Sequence, residues 1–109
     1  MCAGAGGHTG HLNPLAFTDE VRRVFDGLVV LSGCITHGRQ VVAAEAMGAD
    51  LAYIGTRFIA CKEAKVDENY KNAILKAEPD DIVLTRRISG TPAAVIRTPY
   101  VDKMGLDLN

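Results

Sequence analysis

The chain has 109 residues, 48 % hydrophobic and 23 % charged, with twelve Lys and Arg against thirteen Asp and Glu for a net charge of -1. That balance is the profile of an ordinary globular chain, and the lack of a basic stripe argues against nucleic acid and anionic membrane as partners. The longest clear apolar run, Leu28 to Leu31, falls far short of the ~20 residues of a membrane span, and Met1 to Gly7 lacks the charged and apolar regions of an export signal; a cytoplasmic location without a membrane partner is expected.

Residues 4 to 14 are rich in Gly and carry His8, His11, Asn13 and Pro14, so they read as a loop whose backbone can approach another group closely. Thr18 as a cap, acidic residues 19 and 20, and the apolar Val21, Val24 and Phe25 predict a helix from about 18 to 25, ended by Asp26-Gly27. Leu28 to Leu31 is the continuous apolar run of a parallel strand buried on both faces, and it stops at Ser32-Gly33. An Ala-rich helix follows from His37 to Met47, closed by Gly48. Leu51 to Ile54 is the next strand, stopped by Gly55-Thr56. Strand, helix and strand in that order make a βαβ unit with parallel strands.

Glu68 to Ala77 predicts an amphipathic helix with Asp67 as its cap. Ile82 to Thr85 and Ala93 to Ile96 are weaker strand candidates, separated by the turn-prone Ser89-Gly90-Thr91-Pro92. The strand that should lead into the first loop is missing, and Leu106 to Asn109 supplies no finish. The chain is therefore expected to be a piece of an α/β domain, cut at its N-terminal side and at its C-terminal side.

Three Gly-containing loops follow expected strand ends: Gly6-Gly7-His8-Thr9-Gly10, Ser32-Gly33-Cys34 and Gly55-Thr56-Arg57. The last two can cradle a phosphate through main-chain NH groups, with the Thr56 hydroxyl as a further donor. They can equally be plain strand-to-helix turns. His8 is the side chain in the first loop that moves a proton near neutral pH, which suits a general base; its other reading is a histidine that only bonds backbone. His37 reads as a surface or capping residue, and Arg57 either faces a phosphate or ties its loop to a carboxylate. Cys2, Cys34 and Cys61 show neither C-x-x-C nor zinc spacing and read as reduced thiols, Cys34 and Cys61 in packing roles. No metal site is expected, since His8 and His11 lack further ligands at a suggestive offset.

Four segments together resemble the nitronate monooxygenase family over most of the chain: Ala5-Gly6-Gly7-His8-Thr9-Gly10, Leu31 to Ile35, Gly48 to Phe58, and Ser89 to Ala93. The resemblance implies an FMN-dependent oxidoreductase and the C-terminal part of a (β/α)8 TIM barrel with parallel strands. A whole barrel takes roughly 250 residues, so residues 1–109 are expected to form a partial barrel domain. It also implies that His8 is the catalytic base and that Gly7, Ser32, Gly33, Cys34, Gly55 and Thr56 contact FMN. The family pattern at the second segment is Ala-Gly-Gly. Cys34 replaces its last glycine, which demands a backbone conformation that a residue with a Cβ can hold.

The implied reaction of a full-length parent is oxidation of an alkyl nitronate, or of a nitroalkane whose α-proton His8 removes, by oxygen to a carbonyl compound and nitrite. Relatives with the same barrel and Gly-Gly-His loop imply a rival, an NAD(P)H-dependent flavin reductase of enoyl-thioester or quinone type, or a dehydrogenase acting on a CoA thioester. A third reading is a non-catalytic phosphate-binding half-barrel. The isolated chain is expected to lack activity, and exposed strand edges favour self-association, which is compatible with a homo-oligomer.

Overall fold

The computed structural model describes residues 1–105; the C-terminal segment Leu106 to Asn109, expected to lack a finish, lies outside them. In chain order the elements are β1 (Gly7–His8), α1 (Pro14–Val24), β2 (Val30–Ser32), α2 (Gly38–Ala46), β3 (Leu51–Tyr53), α3 (Thr56–Ile59), α4 (Glu68–Lys76), a 3-10 turn (Pro79–Asp81), β4 (Ile82–Thr85), β5 (Ala93–Ile96) and α5 (Pro99–Met104). They form two compact units, one of Met1–Ala5 with Thr9–Ile54 and one of Gly6–His8 with the described residues from Gly55 to Gly105.

In the first unit, α1 starts a turn earlier than its sequence suggests. The Asn13 side chain accepts from the Ala16 amide at 2.9 Å, and Pro14 occupies the first helical position, where its missing N–H costs nothing. Thr18, expected as the cap, is a buried interior residue of the helix. His37 occupies the N-cap position of α2 without a side-chain cap bond of its own; its amide donates to the Gln40 side chain at 2.9 Å.

The strands β2 and β3 pair in parallel, with Val30 opposite Leu51 and Ser32 opposite Tyr53, so the βαβ unit is present. The expectation of two buried faces is met on one side. Val29 and Leu31 join Ile35, Ala44 and Ala49 in the core, with Phe17, Val21 and Met47 packed against them. On the other side Val30, Leu51 and Tyr53 are 44, 54 and 65 % exposed. The helices therefore cover a single face of this sheet.

The second unit corrects the parallel expectation. Its sheet has the order β1-β5-β4, with β5 antiparallel to both β4 and β1. A parallel crossover needs about a dozen residues or more, and the short connection 86–92 can only turn back. Two helices also went unanticipated: the single turn α3, and α5, which Thr98 caps by accepting from the Val101 amide at 3.3 Å. Asp67 caps α4 as expected, accepting from Asn69. The buried residue of α4 is Lys71, 6 % exposed, while Tyr70 and Leu75 stay largely open; its ammonium reaches Glu68 at 3.7 Å.

Candidate functional site

His8 is held by strand pairing. It lies opposite Ala93 of β5, and Gly7 lies opposite Ala94. From there the imidazole Nε2 stands 2.8 Å from the Ser89 hydroxyl, which in turn is 3.1 Å from the Thr91 hydroxyl. Gly90 makes the turn that brings these two hydroxyls together: its φ is +82°, and its amide donates to the Arg86 carbonyl at 2.8 Å. When the ring carries its proton on Nε2 it donates to the Ser89 hydroxyl in both the neutral and the charged form, and Nδ1 is then the nitrogen that can take a further proton. His8 itself is exposed and free to meet a solute.

The sequence shows Ser89 as a turn residue and as part of a family-like segment, but not as the partner of His8. The separation of 81 positions between the pair hides the contact from any local pattern. The one available signal was that Ser89 and Thr91 flank a glycine, so a single turn presents two hydroxyls.

The glycines near His8 divide by what they leave open. A Cβ on Gly7, whose φ is +72°, would meet nothing within 4 Å, and the same is true of Gly55. A Cβ on Gly6 would collide with the Thr56 hydroxyl. Gly6 therefore serves close approach to Thr56, whereas Gly7 and Gly55 leave bare backbone facing open space. Thr56 is exposed and opens α3, whose turn is closed by the Phe58 amide donating to the Gly55 carbonyl at 2.9 Å. Bare glycine backbone beside an exposed hydroxyl suits an oxygen-rich anionic group.

The Ser32-Gly33-Cys34 loop belongs to the first unit. Gly33 is buried with φ +112°, and a Cβ there would come within 2.8 Å of the Cys2 sulfur and 2.9 Å of the Cys2 carbonyl. Main-chain bonds tie this loop to the start of the chain: the Cys2 amide donates to the Ser32 carbonyl at 2.9 Å, and the Cys34 amide to the Gly4 carbonyl at 3.2 Å. Cys34 has φ +55°, in the left-handed region that favours glycine. Its thiol is exposed, that of Cys2 is buried, and the sulfurs are 3.9 Å apart. Burial is the main cause that pushes the Cys2 thiol above its ordinary range, with the neighbouring Cys34 adding to it.

His37 bonds Thr36 through Nδ1 at 2.7 Å and precedes α2 as its N-cap residue. Arg57 is exposed, and the expected tie to a carboxylate is not formed among the described residues. An apolar cleft of about 270 Å³ in the first unit, walled by Phe17, Thr18, Val21, Phe25, Leu28 and Leu31, carries no titratable side chain. Among the described residues no helix is long and apolar enough to cross a membrane.

Residues 2–108 match the family model described as nitronate monooxygenase. Over 95 residues the chain is 36 % identical to a nitronate monooxygenase of Paraburkholderia phytofirmans, covering 79 % of this chain and 26 % of that protein. Two solved structures are similar: FabK from Thermotoga maritima, with a TM-score of 0.82 and 39 % identity over 91 % of this chain and 32 % of that one, and a nitroalkane oxidase from Streptomyces ansochromogenes, with a TM-score of 0.84 and 30 % identity over 96 % of this chain and 33 % of that one. The chain thus spans about a quarter to a third of the length of these relatives.

Proposed function

We infer the role of this chain from one premise: it belongs to the nitronate monooxygenase family, a family of oxidoreductases. We propose that it is a segment of a partial (β/α)8 barrel domain whose parent oxidises alkyl nitronates or nitroalkanes with oxygen to carbonyl compounds and nitrite, using FMN. The barrel reading is supported by the β2-β3 sheet, which has helices on one face and Val30, Leu51 and Tyr53 open on the other. Parallel sheets are normally covered on both faces, and closure into a barrel covers the second.

The observation that carries the functional reading is His8 bonded through Nε2 to Ser89 at 2.8 Å, beside glycine backbone with open space at Gly7. His8 takes the α-proton of a nitroalkane, and Ser89 holds the ring in position to do so. The same residues leave preformed nitronate, which has already lost that proton, in no need of a base.

For the flavin phosphate, the open backbone at Gly55 and the exposed Thr56 hydroxyl fit the group, and Gly7 leaves room beside His8. In the first unit, taken by itself, Ser32, Gly33 and the exposed side chain of Cys34 are the FMN contacts that the family resemblance implies; the Cys34 amide is bonded to Gly4. When bound, FMN supplies the electron-accepting chemistry; the protein positions the substrate, moves the proton and excludes water.

The test is flavin binding by the purified chain, read by FMN fluorescence quenching with riboflavin as the phosphate-free control. Preference for FMN that falls in Gly55→Val and Thr56→Val supports the phosphate assignment. Equal binding of FMN and riboflavin overturns it. Activity is then tested in the parent protein with nitronate and with reduced nicotinamide as alternative reductants. Faster flavin reduction by reduced nicotinamide would favour the NAD(P)H-dependent reductase instead.

A further inference from the structure

The two cysteines of the first unit meet through an arrangement in which the buried Cys2 has no part in the flavin or proton-transfer chemistry proposed above. The Cys2 sulfur lies 3.9 Å from the Cys34 sulfur and donates to the Gly33 carbonyl at 3.6 Å. One thiol is buried and the other exposed. The backbone around them is already joined, through Cys2 to Ser32 and Cys34 to Gly4, so the two segments are held together whatever the state of the sulfurs. An S–S bond of roughly 2.05 Å requires the sulfurs to close by a side-chain rotation, for which the exposed Cys34 has room.

We propose that Cys2 and Cys34 are a redox-active dithiol that hydroperoxides oxidise to an intrachain disulfide. Cys34 reacts first because it alone of the two is open to solvent. Its thiolate attacks a peroxide oxygen; an S–O bond forms, the O–O bond breaks, and the departing oxygen leaves as water or alcohol after taking a proton. Cys2 then gives up its proton and attacks the Cys34 sulfur; an S–S bond forms, the S–O bond breaks, and the oxygen leaves as a second water. Two thiols lose two electrons and two protons, and the peroxide is reduced. The buried position of Cys2 protects it from direct oxidation and leaves it placed as the resolving thiol. The consequence is a covalent link across the Ser32-Gly33-Cys34 loop, which fixes the left-handed backbone of Cys34 against Gly4.

The test is hydrogen peroxide treatment of the purified 109-residue chain, followed by alkylation and peptide mass mapping. The expected result is loss of two hydrogens, a linked peptide pair containing Cys2 and Cys34, and Cys61 still alkylated. In Cys2→Ala, Cys34 stops at the sulfenic acid and a 1,3-diketone probe labels it severalfold more than in the unaltered chain. In Cys34→Ser, Cys2 stays reduced under the same dose. Interchain disulfides, a Cys2–Cys61 link, or Cys34 driven to sulfinic acid while Cys2 remains alkylatable would overturn the proposal. None of these readouts involves flavin, so they stand apart from the functional reading above.

Discussion

Arg22 donates from Nη2 to Asp50 Oδ2 at 2.7 Å, and the same oxygen accepts from the Val29 amide at 2.8 Å. The guanidinium also donates from Nε to the Gly48 carbonyl at 2.8 Å and from Nη1 to the Gly27 carbonyl at 2.6 Å. One side chain near the end of α1 thus satisfies the carbonyl after α2 and the carbonyl before β2, while Asp50 secures the approach to both parallel strands. Arg fits this role because its donors fan out in a fixed plane.

Replacing Arg22 by Met keeps the apolar stem and removes all three contacts. Hydrogen bonds to charged groups contribute about 1.5–3 kcal/mol each when shielded, and partial exposure of this pair reduces that. A net loss on the order of 2 kcal/mol is expected, read as a lower urea midpoint. An unchanged midpoint would mean that the carbonyls are equally well served by water.

Asp50 makes the stability of this unit pH-dependent. The Val29 amide, and after it the hydrogen bond from Arg22, holds its carboxyl below the ordinary 3.8. A lowered folded value means the stabilisation is fully present above the ordinary value and is lost as pH falls through the lower, folded one. The difference in unfolding midpoint between the unaltered chain and Asp50→Asn should therefore be constant near neutrality and shrink below about pH 3.8. A difference that persists to the acid limit would show that the carboxylate charge is not what matters.

The second glycine-rich loop should respond oppositely to two substitutions. Gly33→Ala adds a Cβ that meets Cys2 within 2.8 Å at φ +112°, and a loss of about 1–3 kcal/mol is expected from contact and backbone strain together. Cys34→Gly relieves a side chain at φ +55° and should raise stability by about 1 kcal/mol. Thermal unfolding of both variants, measured under reducing conditions, decides the matter; destabilisation by Cys34→Gly would mean the thiol packs more than its exposure suggests.

Thr18 is 1 % exposed, and its hydroxyl has no hydrogen-bond partner among the described residues. An unsatisfied buried hydroxyl costs about 1–3 kcal/mol. Thr18→Val keeps the shape and should leave the isolated chain as stable or raise it by about 1 kcal/mol. A clear drop in the unfolding midpoint would indicate a hidden partner, such as an ordered water.

In the parent protein, His8→Asn should lower turnover of neutral nitroalkane by about 10²- to 10⁴-fold and spare much of the activity on preformed nitronate. Equal loss on both substrates would assign His8 to binding. Ser89→Ala, which frees the ring from its 2.8 Å partner, should cost about tenfold to a hundredfold on nitroalkane alone, with FMN binding unchanged. Restoration by Ser89→Thr would show that the hydroxyl acts by positioning.

Local chemistry made much of this chain readable in advance. The apolar runs at Leu31 and Leu51, the Ala-rich stretch between them and the capping residues His37 and Asp67 specify a βαβ unit and α4, because periodicity, capping and turn propensity act over a few neighbouring residues. The motif around His8 was equally legible as a sequence pattern. At the start of α1 Thr18 is as good a cap as Asn13 in isolation, and only the burial of Thr18 separates them. Tertiary structure decided what depends on distant partners: that β4 and β5 turn back on each other, that Ser89 meets His8, that Cys34 takes the left-handed backbone of a glycine, and that its sulfur lies near that of Cys2. Those pairings come from loop closure and packing between segments many residues apart, and no local propensity encodes them.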